Sequence, residues 1–118
     1  MCTLILAWQA FEDTPVAVAA NRDEADGRPA EPPQVWESNP GPRFVAPRDV
    51  DAGGTWIGYN EHGLFVGITN RWQNAEALAG ERSRGLLVRD ALERESASEA
   101  LRYVEAELET HEYQPFHL

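Results

Sequence analysis

Two apolar runs separated by a polar turn open the chain. Residues 2–8 form a continuous apolar run that ends at Gln9, and residues 16–20 form a second run of strand length. Residues 9–15 between them carry the polar residues and the proline that are typical of a turn. The pattern predicts a β-hairpin whose first strand is buried on both faces, and a short helix over residues 2–8 is the alternative that periodicity leaves open.

The position of this turn decides which residues face Cys2. With the turn centred near Phe11 and Glu12, the numbers of paired residues add up to about 23. Cys2 is then expected opposite residues 21–23, a polar stretch at the end of the second strand. The hairpin therefore brings an arginine and a carboxylate towards the only thiol of the chain.

A second hairpin is predicted further along. Its strands are residues 55–59 and 64–70, and the turn between them ends at Gly63, which is placed to take the left-handed conformation that closes a type I turn with a bulge. The glycine pair 53–54 in front of it resembles a phosphate-binding loop only superficially, because neither a lysine nor a helix follows. Close packing of two backbone segments is the preferred interpretation of that pair.

The segment 25–50 between the hairpins contains six prolines. Proline disfavours both a central strand and a helix interior. The composition therefore predicts a long ordered loop, attached to the body of the protein by Trp36 and Phe44, of the kind that often lines a binding site. A surface loop that does not pack against the rest of the protein is the alternative that remains open.

The periodicity becomes helical from residue 82 onward. Ser83 is a candidate N-cap for a helix through residues 87–92, and residues 96–99 form a capping box ahead of the apolar positions of residues 101–108. We expect two amphipathic helices over one sheet face, with their Glu and Arg side chains on a solvated surface.

The amino-acid composition argues against some classes of function. The chain has 118 residues, enough for one domain, with twenty acidic residues against ten basic ones, all arginine, and a net charge of −10. Such a surface argues against binding to nucleic acid or to an anionic membrane. It is typical of proteins from a salt-rich cytoplasm, and a genomic preference for arginine is the alternative explanation.

The number of cysteines and the length of the first apolar run predict the cellular compartment of the protein. One cysteine excludes an internal disulfide framework and fits a reducing compartment, so a cytoplasmic location is expected. The first run is too short to span a membrane and lacks a basic flank, so neither a signal peptide nor membrane insertion is predicted. His62, His111 and His117 lack the close spacing of a zinc site, and no metal or other cofactor is expected.

Cys2 is the candidate nucleophile. Removal of Met1 would leave a free α-amine on the same residue as the thiol, and that amine can accept the thiol proton and act as the base for acyl transfer. Arg22 near the sulfur would favour the thiolate, and Asp23 could hold the amine. Asn70 at the end of a strand could donate to an oxyanion. The alternative is a Cys2 that is only a small apolar residue of a buried strand.

Several motifs in order along the chain resemble the NRDE family, also named after the transport and Golgi organisation protein of eukaryotes. More distantly the chain is similar to the cysteine N-terminal nucleophile hydrolases of the choloylglycine hydrolase and penicillin V acylase group, which also begin Met-Cys-Thr. The motifs are the opening residues 1–3, the quartet Asn21-Arg22-Asp23-Glu24, the glycine-rich stretch 53–63, the strand end 69–71, and the segment 83–88.

This resemblance implies an α+β fold, an αββα sandwich with Cys2 at the mouth of the sheets. It gives Asp23 the amine-contacting role and Asn70 a place in the oxyanion hole, and Asn21 and Trp56 become the candidate substrate-binding residues. The hydrolases carry an arginine just before their Asn-x-Asp motif, where this chain has Ala20, so Arg22 is the candidate substitute.

The family's domain is longer, so the resemblance implies that residues 1–118 are one domain that corresponds to the N-terminal half. Uncovered strand edges would then favour self-association or completion by a missing C-terminal half. Three functions follow: an amide hydrolase or acyltransferase acting on a small-molecule amide, a non-catalytic carrier of haem, lipid or another hydrophobic ligand, and a structural assembly module.

Overall fold

The computed structural model describes residues 2–24, 26–71 and 81–118. This part of the chain holds antiparallel sheets and two helices, which confirms the α+β class predicted from the sequence. The elements in chain order are β1 Thr3–Phe11, β2 Thr14–Asn21, β3 Ala30–Trp36, β4 Phe44–Asp49, β5 Ile57–Asn60, β6 Phe65–Gly67, β7 Thr69–Asn70, α1 Arg84–Leu92, α2 Ala97–Thr110 and β8 Phe116–His117.

The first hairpin is confirmed, with a strand rather than a helix at its start. β1 pairs with β2 so that Thr3 lies opposite Asn21 and Trp8 opposite Val16, close to the predicted register. The pairing shifts by one residue between Trp8 and Phe11, where Gln9 has a positive φ of 51°. This β-bulge changes which face of the ribbon Phe11 occupies.

The prediction that the first strand is buried on both faces is wrong for the described chain. Ile5, Leu6, Trp8 and Phe11 all expose more than half of their surface. The reason is that β1 and β2 form a sheet of their own, over which the described residues place no complete second layer. An apolar run indicates a strand whose side chains are expected to pack against a second layer of the fold, but it does not identify that layer.

The prediction of a long loop in the proline-rich segment is also wrong. The structure forms a hairpin there, β3 with β4, while residue 25 lies outside the described residues. Pro32 and Pro33 are in the outermost strand of a sheet, where the register shifts, and Pro47 follows the part of β4 that pairs with β5. At an edge and a bulge, a missing N–H costs little.

The anchoring role predicted for Trp36 and Phe44 is confirmed. Their rings stack with centroids 5.5 Å apart, and Phe44 is buried in the core. The Trp36 indole N–H also donates to the Ala46 carbonyl over 2.9 Å. These contacts hold the end of the β3–β4 hairpin against the body of the protein.

A four-stranded sheet in the order β3-β4-β5-β6 contains the second hairpin. Gly63 has the predicted left-handed conformation, with φ of 82°. The predicted strand over residues 64–70 is divided into β6 and β7, since Ile68 turns away to donate its N–H to the Trp56 carbonyl over 2.9 Å. β7 then pairs with β8 near the C-terminus.

Close backbone packing at the glycine pair is confirmed at Gly54. A Cβ added there would lie 2.2 Å from the carbonyl carbon of Gly85, which excludes any side chain. The neighbouring Thr55 N–H donates to the Gly85 carbonyl over 3.0 Å. The approach joins the start of α1 to the connection between β4 and β5.

Both helices begin at the predicted caps. The Ser83 hydroxyl accepts from the Gly85 N–H, and the Ser96 hydroxyl accepts from the Glu99 N–H. α1 packs on the four-stranded sheet and α2 packs on α1, so the core lies between sheet and helices. The fully buried positions of α1 are Leu87, Val88, Ala91 and Leu92.

The solvated surface predicted for the Glu and Arg side chains of the helices is interrupted at Glu107, whose side chain is 17% exposed, by a partly buried charged cluster that also contains Asp90. Asp90 is buried and accepts hydrogen bonds from Arg82 over 2.6 Å and from the Tyr103 hydroxyl over 2.9 Å. Arg82 also donates to Glu107 and, over 3.0 Å, to the Tyr113 hydroxyl. We call these five residues the Arg82 cluster; it joins α1, α2 and the C-terminal tail.

Candidate functional site

Cys2 lies half-buried directly before β1, beside the end of β2. Its Sγ is 3.5 Å from the carbonyl oxygen of Asp23. The Thr3 N–H donates to Asn21 Oδ1, and Asn21 Nδ2 donates to Asp23 Oδ1, each over 2.9 Å. The predicted juxtaposition of the thiol with residues 21–23 is therefore present, and Asn21 is the link between the two strands.

The electrostatics of Asp23 bear on its predicted role. The pKa of its carboxyl lies below the usual value because the charged N-terminal amine donates a hydrogen bond to it and attracts it, and Asn21 adds a further hydrogen bond. An ammonium group favours the ionised form of a neighbouring carboxylate. This amine belongs to residue 1, whereas the predicted role of Asp23 concerns the amine of Cys2, so that role stays a prediction.

Cys2 opens into a surface cleft of about 430 Å³. The cleft is formed where the start of β1 meets the end of β6, β7 and β8. A volume in this range is typical of small-molecule sites. The lining residues are Cys2, Thr3, Leu4, Gly67, Thr69, His117 and Leu118.

Arg22 is held on the side of the four-stranded sheet. Its guanidinium lies 3.3 Å from Asp49 and 3.7 Å from Glu24, and stacks 4.4 Å from the centre of the Trp56 ring. These contacts connect the predicted catalytic residue Arg22 with the predicted substrate-binding residue Trp56. Whether the same guanidinium also acts on the Cys2 thiol stays a prediction.

Asn70 is exposed and lies opposite Phe116 in the β7–β8 pair. Its neighbour Thr69 lines the Cys2 cleft. Because successive residues of a strand point to opposite faces, Asn70 points away from the face that Thr69 presents. The oxyanion role of Asn70 stays a prediction, and Thr69 is the polar side chain of β7 that the cleft presents.

Three further charged residues next to this site were missed by the sequence reasoning. Arg28 binds the buried Asp49 over 2.9 Å. Burial lowers the pKa of Arg84, and Arg28 lowers it further, while the charges of Glu24 and Cys2 oppose the shift. The segment around Arg84 was considered only as a helix start, and Asp49 and Arg28 fell in the supposed loop, so no local pattern could reveal this group.

A second, apolar cavity of about 390 Å³ adjoins the cleft. Leu4, Gly67 and Leu118 line both, so the two lie next to each other. The cavity walls come from β1, β6, α1 and α2, and they include Leu6, Phe65, Ala91 and Leu101. The site therefore combines a thiol at its mouth with an apolar compartment behind it.

The part of the chain that the structure describes also bears on metal binding and on membrane insertion. No group of three or more His, Cys, Asp or Glu residues there is placed to hold a metal ion. No helix in the described ranges is long and apolar enough to cross a membrane.

Comparison with known proteins gives one positive result. A family model described as Transport and Golgi organisation 2 matches residues 1–118. The curated proteins and the solved structures contain no match.

Proposed function

Because the chain belongs to the Transport and Golgi organisation 2 family, we propose that it carries an N-terminal nucleophile site of the amide-hydrolase type, with Cys2 as the nucleophile. The observation that supports this most directly is the position of the Cys2 thiol, in an open cleft and 3.5 Å from the backbone of Asp23. A purely structural cysteine would need neither the cleft nor the adjacent charged residues.

The proposed reaction begins with removal of Met1. The free amine of Cys2 takes the thiol proton, and the sulfur attacks the carbonyl carbon of an amide to form a C–S bond. The Thr69 hydroxyl, which lines the cleft, stabilises the tetrahedral oxyanion, and Asn70 takes this role only if the strand end turns its amide towards the cleft when substrate binds. When the C–N bond breaks, the leaving amine takes the proton from the Cys2 ammonium, and water then hydrolyses the thioester with the same amine as base.

The neighbouring residues have positioning roles in this proposal. Asn21 holds the start of β1 through its bond to Thr3, and Asp23 receives the Cys2 ammonium. Arg22 stacks on Trp56 outside the residues that line the cleft, and the proposal gives this pair the contact with the part of the substrate that extends beyond the cleft. Strands contributed by a C-terminal half would complete the acyl-transfer site, as the resemblance implies.

Intact mass and thiol labelling test this proposal. Mass spectrometry should show loss of Met1, and a retained Met1 would contradict the amine-as-base mechanism. An activated amide probe should acylate Cys2 faster than it acylates a free Cys-Thr dipeptide. Because Cys2 is the only cysteine, Cys2→Ser removes all thiol labelling without ambiguity.

A matched pair of carboxylate variants tests the role of Asp23. Asp23→Asn should slow acylation by about tenfold, because a neutral amide would not stabilise the ammonium that forms when the Cys2 amine takes the thiol proton, and tenfold corresponds to about 1.4 kcal/mol. Asp26→Asn, at an exposed turn position three residues on, should leave the rate unchanged. Equal rates for both variants would remove Asp23 from the mechanism.

The apolar cavity supports a second candidate, a non-catalytic carrier of a hydrophobic ligand. In that case the chain should bind haem or a fluorescent fatty acid, and Cys2→Ala should still bind the fatty acid. Haem absorbance should shift in a Cys2-dependent way if the thiolate is a ligand. Acylation at the rate of the free dipeptide, together with tight ligand binding, would favour the carrier over the enzyme.

A further inference from the structure

Asp49, the last residue of β4, is a buried carboxylate that binds two different parts of the chain. Its Oδ1 accepts a hydrogen bond from the Ala52 N–H over 3.1 Å, within the turn that follows β4. Its Oδ2 binds two guanidinium groups, that of Arg28 over 2.9 Å and that of Arg22 over 3.3 Å. Only 11% of the side chain is exposed. A carboxylate buried to this extent is costly unless it is paired and hydrogen-bonded, and both oxygens of Asp49 are.

Both arginines lie on the connection between two sheets. We call residues 22–28 the crossing segment; residue 25 within it lies outside the described residues. The segment leads from the end of β2, in the two-stranded sheet, towards the start of β3, in the four-stranded sheet. Arg22 is its first residue and Arg28 its last, so Asp49 binds the crossing segment at both ends.

The position of Asp49 is itself fixed by its backbone. Its N–H donates to the Gly54 carbonyl over 2.8 Å, and its carbonyl accepts from the Gly53 N–H over 2.9 Å. Gly54 in turn packs closely against Gly85 at the start of α1. Asp49 is therefore attached to both the sheet and the helix of the core, and the crossing segment is attached to Asp49.

The crossing segment also carries the contact with the thiol. The carbonyl oxygen of Asp23 is 3.5 Å from Cys2 Sγ, and Asp23 directly follows Arg22 in the chain. Because neighbouring Cα atoms are only about 3.8 Å apart, a displacement of Arg22 is passed on to the Asp23 carbonyl. A misplacement of about 1 Å near a reacting group can change a rate by about 100-fold.

Arg22 is held on more than one side. Its guanidinium stacks 4.4 Å from the centre of the Trp56 ring while it binds Asp49, and Glu24 lies 3.7 Å away. The Arg22 side chain is 16% exposed, so solvent and salt screen its pairing with Asp49 less than they screen a surface ion pair. A planar guanidinium that is both stacked and paired is restricted to a narrow range of positions.

We propose that Asp49 is a positioning residue of the Cys2 site. It holds the crossing segment through the two arginines and thereby keeps the Asp23 carbonyl beside the Cys2 thiol. The inference rests on the proposed role of Cys2 as the nucleophile. Asp49 acts through Arg22 and does not itself line the cleft that the described residues form.

Asp49→Asn separates the two tasks of this side chain. Asparagine keeps an oxygen that can accept from the Ala52 N–H, but it removes the negative charge that binds the arginines. Acylation of Cys2 by the activated amide probe should slow by about tenfold or more. Glu31→Gln is the matched control, because Glu31 pairs with Arg48 across the same β3–β4 hairpin but has a 45% exposed side chain. It should change the rate by less than about twofold, and equal effects of both substitutions would overturn the proposal.

A double-mutant cycle tests whether Asp49 acts through Arg22. Arg22→Gln alone should slow acylation of Cys2. Adding Asp49→Asn to that variant should slow the reaction by less than about a further threefold, because the connection is already broken. A further loss of about tenfold would mean that Asp49 acts only through its own turn, and it would overturn the proposal.

A fluorine label on Cys2 tests the same point without using the reaction. Cys2 is the only cysteine, so bromotrifluoroacetone labels the full chain at one site, and the ¹⁹F resonance reports the surroundings of the sulfur. Asp49→Asn should shift or broaden this resonance, and Glu31→Gln should leave it as in the wild type. An unchanged resonance in folded Asp49→Asn protein would overturn the proposal.

These measurements distinguish a failure of this proposal from a failure of the proposed reaction. If wild-type Cys2 is acylated no faster than the free dipeptide, the reaction is wrong, and the ¹⁹F comparison still decides whether Asp49 positions the site. Circular dichroism should show that each variant is folded. If Asp49→Asn does not fold, Arg22→Gln, which leaves Asp49 bound to its turn and to Arg28, should change the resonance instead. An unchanged resonance in that variant would then overturn the proposal.

Discussion

At the scale of single residues, the side chain of Asn60 connects the turn of the second hairpin to the end of α1. Its side-chain amide donates to the Leu92 and Arg94 carbonyls at the end of α1, over 3.0 and 2.7 Å. Its Oδ1 accepts from the N–H groups of His62 and Leu64, each over 3.0 Å. Asn60 is buried, so one side chain satisfies both the hairpin turn and the end of the helix.

Asn60→Ala should therefore destabilise the protein strongly. Two helix-terminal carbonyls and the Leu64 N–H would lose their partner, and each buried unsatisfied group costs about 1–3 kcal/mol. We expect a loss of about 3–4 kcal/mol in the free energy of unfolding, measured by urea denaturation. Asn70→Ala, at an exposed position, should stay within about 0.5 kcal/mol. Similar values for the two variants would mean that Asn60 is not the link described.

At the scale of elements, the Arg82 cluster fixes the helices and the tail to each other. Tyr113 of the tail donates to Glu107 of α2, and Tyr103 of α2 donates to Asp90 of α1. Burial, together with the hydrogen bond to Asp90, raises the pKa of Tyr103 to about 12, although Arg82 acts in the other direction. The tail continues into β8, which lines the Cys2 cleft, so this cluster supports one wall of the site.

The pH dependence of stability should reveal the buried Asp90. Burial alone would raise its pKa, but hydrogen bonds from Arg89, Arg82 and Tyr103 outweigh this effect and lower it. A lowered folded-state pKa means that the stabilisation is complete above the unfolded value, about 3.9, and is lost as the pH falls through the folded value. Asp90→Asn should cost about 2 kcal/mol near neutral pH.

That cost should shrink when unfolding is measured below about pH 4, where the wild-type carboxyl also becomes neutral in the unfolded chain. Glu105→Gln, an exposed substitution on α2, should show no such dependence. A cost of Asp90→Asn that is the same at both pH values would contradict the assigned charge state.

The elements also show what the sequence could and could not predict. The hairpin register and the caps Ser83 and Ser96 depend on neighbouring residues, so local patterns predicted them. The β3–β4 hairpin was missed because a proline is tolerated at an edge or a bulge, and only the finished sheet shows where those are. The cluster around Asp49 was missed for the same reason, since its members meet only after β4 forms.

At the scale of the whole molecule, the net charge of −10 opposes compaction. Adding NaCl should raise the midpoint temperature of thermal unfolding. The reason is that salt shortens the Debye length from about 8 Å at 0.15 M to about 3 Å at 1 M, which weakens the repulsion between the acidic side chains of the folded chain. Circular dichroism at several salt concentrations measures this midpoint temperature. Sucrose is the control, because it stabilises proteins through its exclusion from the protein surface and does not screen charges. A midpoint that falls with salt would contradict an adaptation to salt-rich conditions.

The adjacent prolines of β3 also affect the outer edge of the four-stranded sheet. Of two successive residues in a strand, one turns its N–H inward and the next turns it outward, so Pro32 and Pro33 remove a donor on each side. The outer margin of the four-stranded sheet is thereby a poor template for an incoming chain. Fibril growth, if it occurs during misfolding, is expected to start from the uncharged N-terminal ribbon instead.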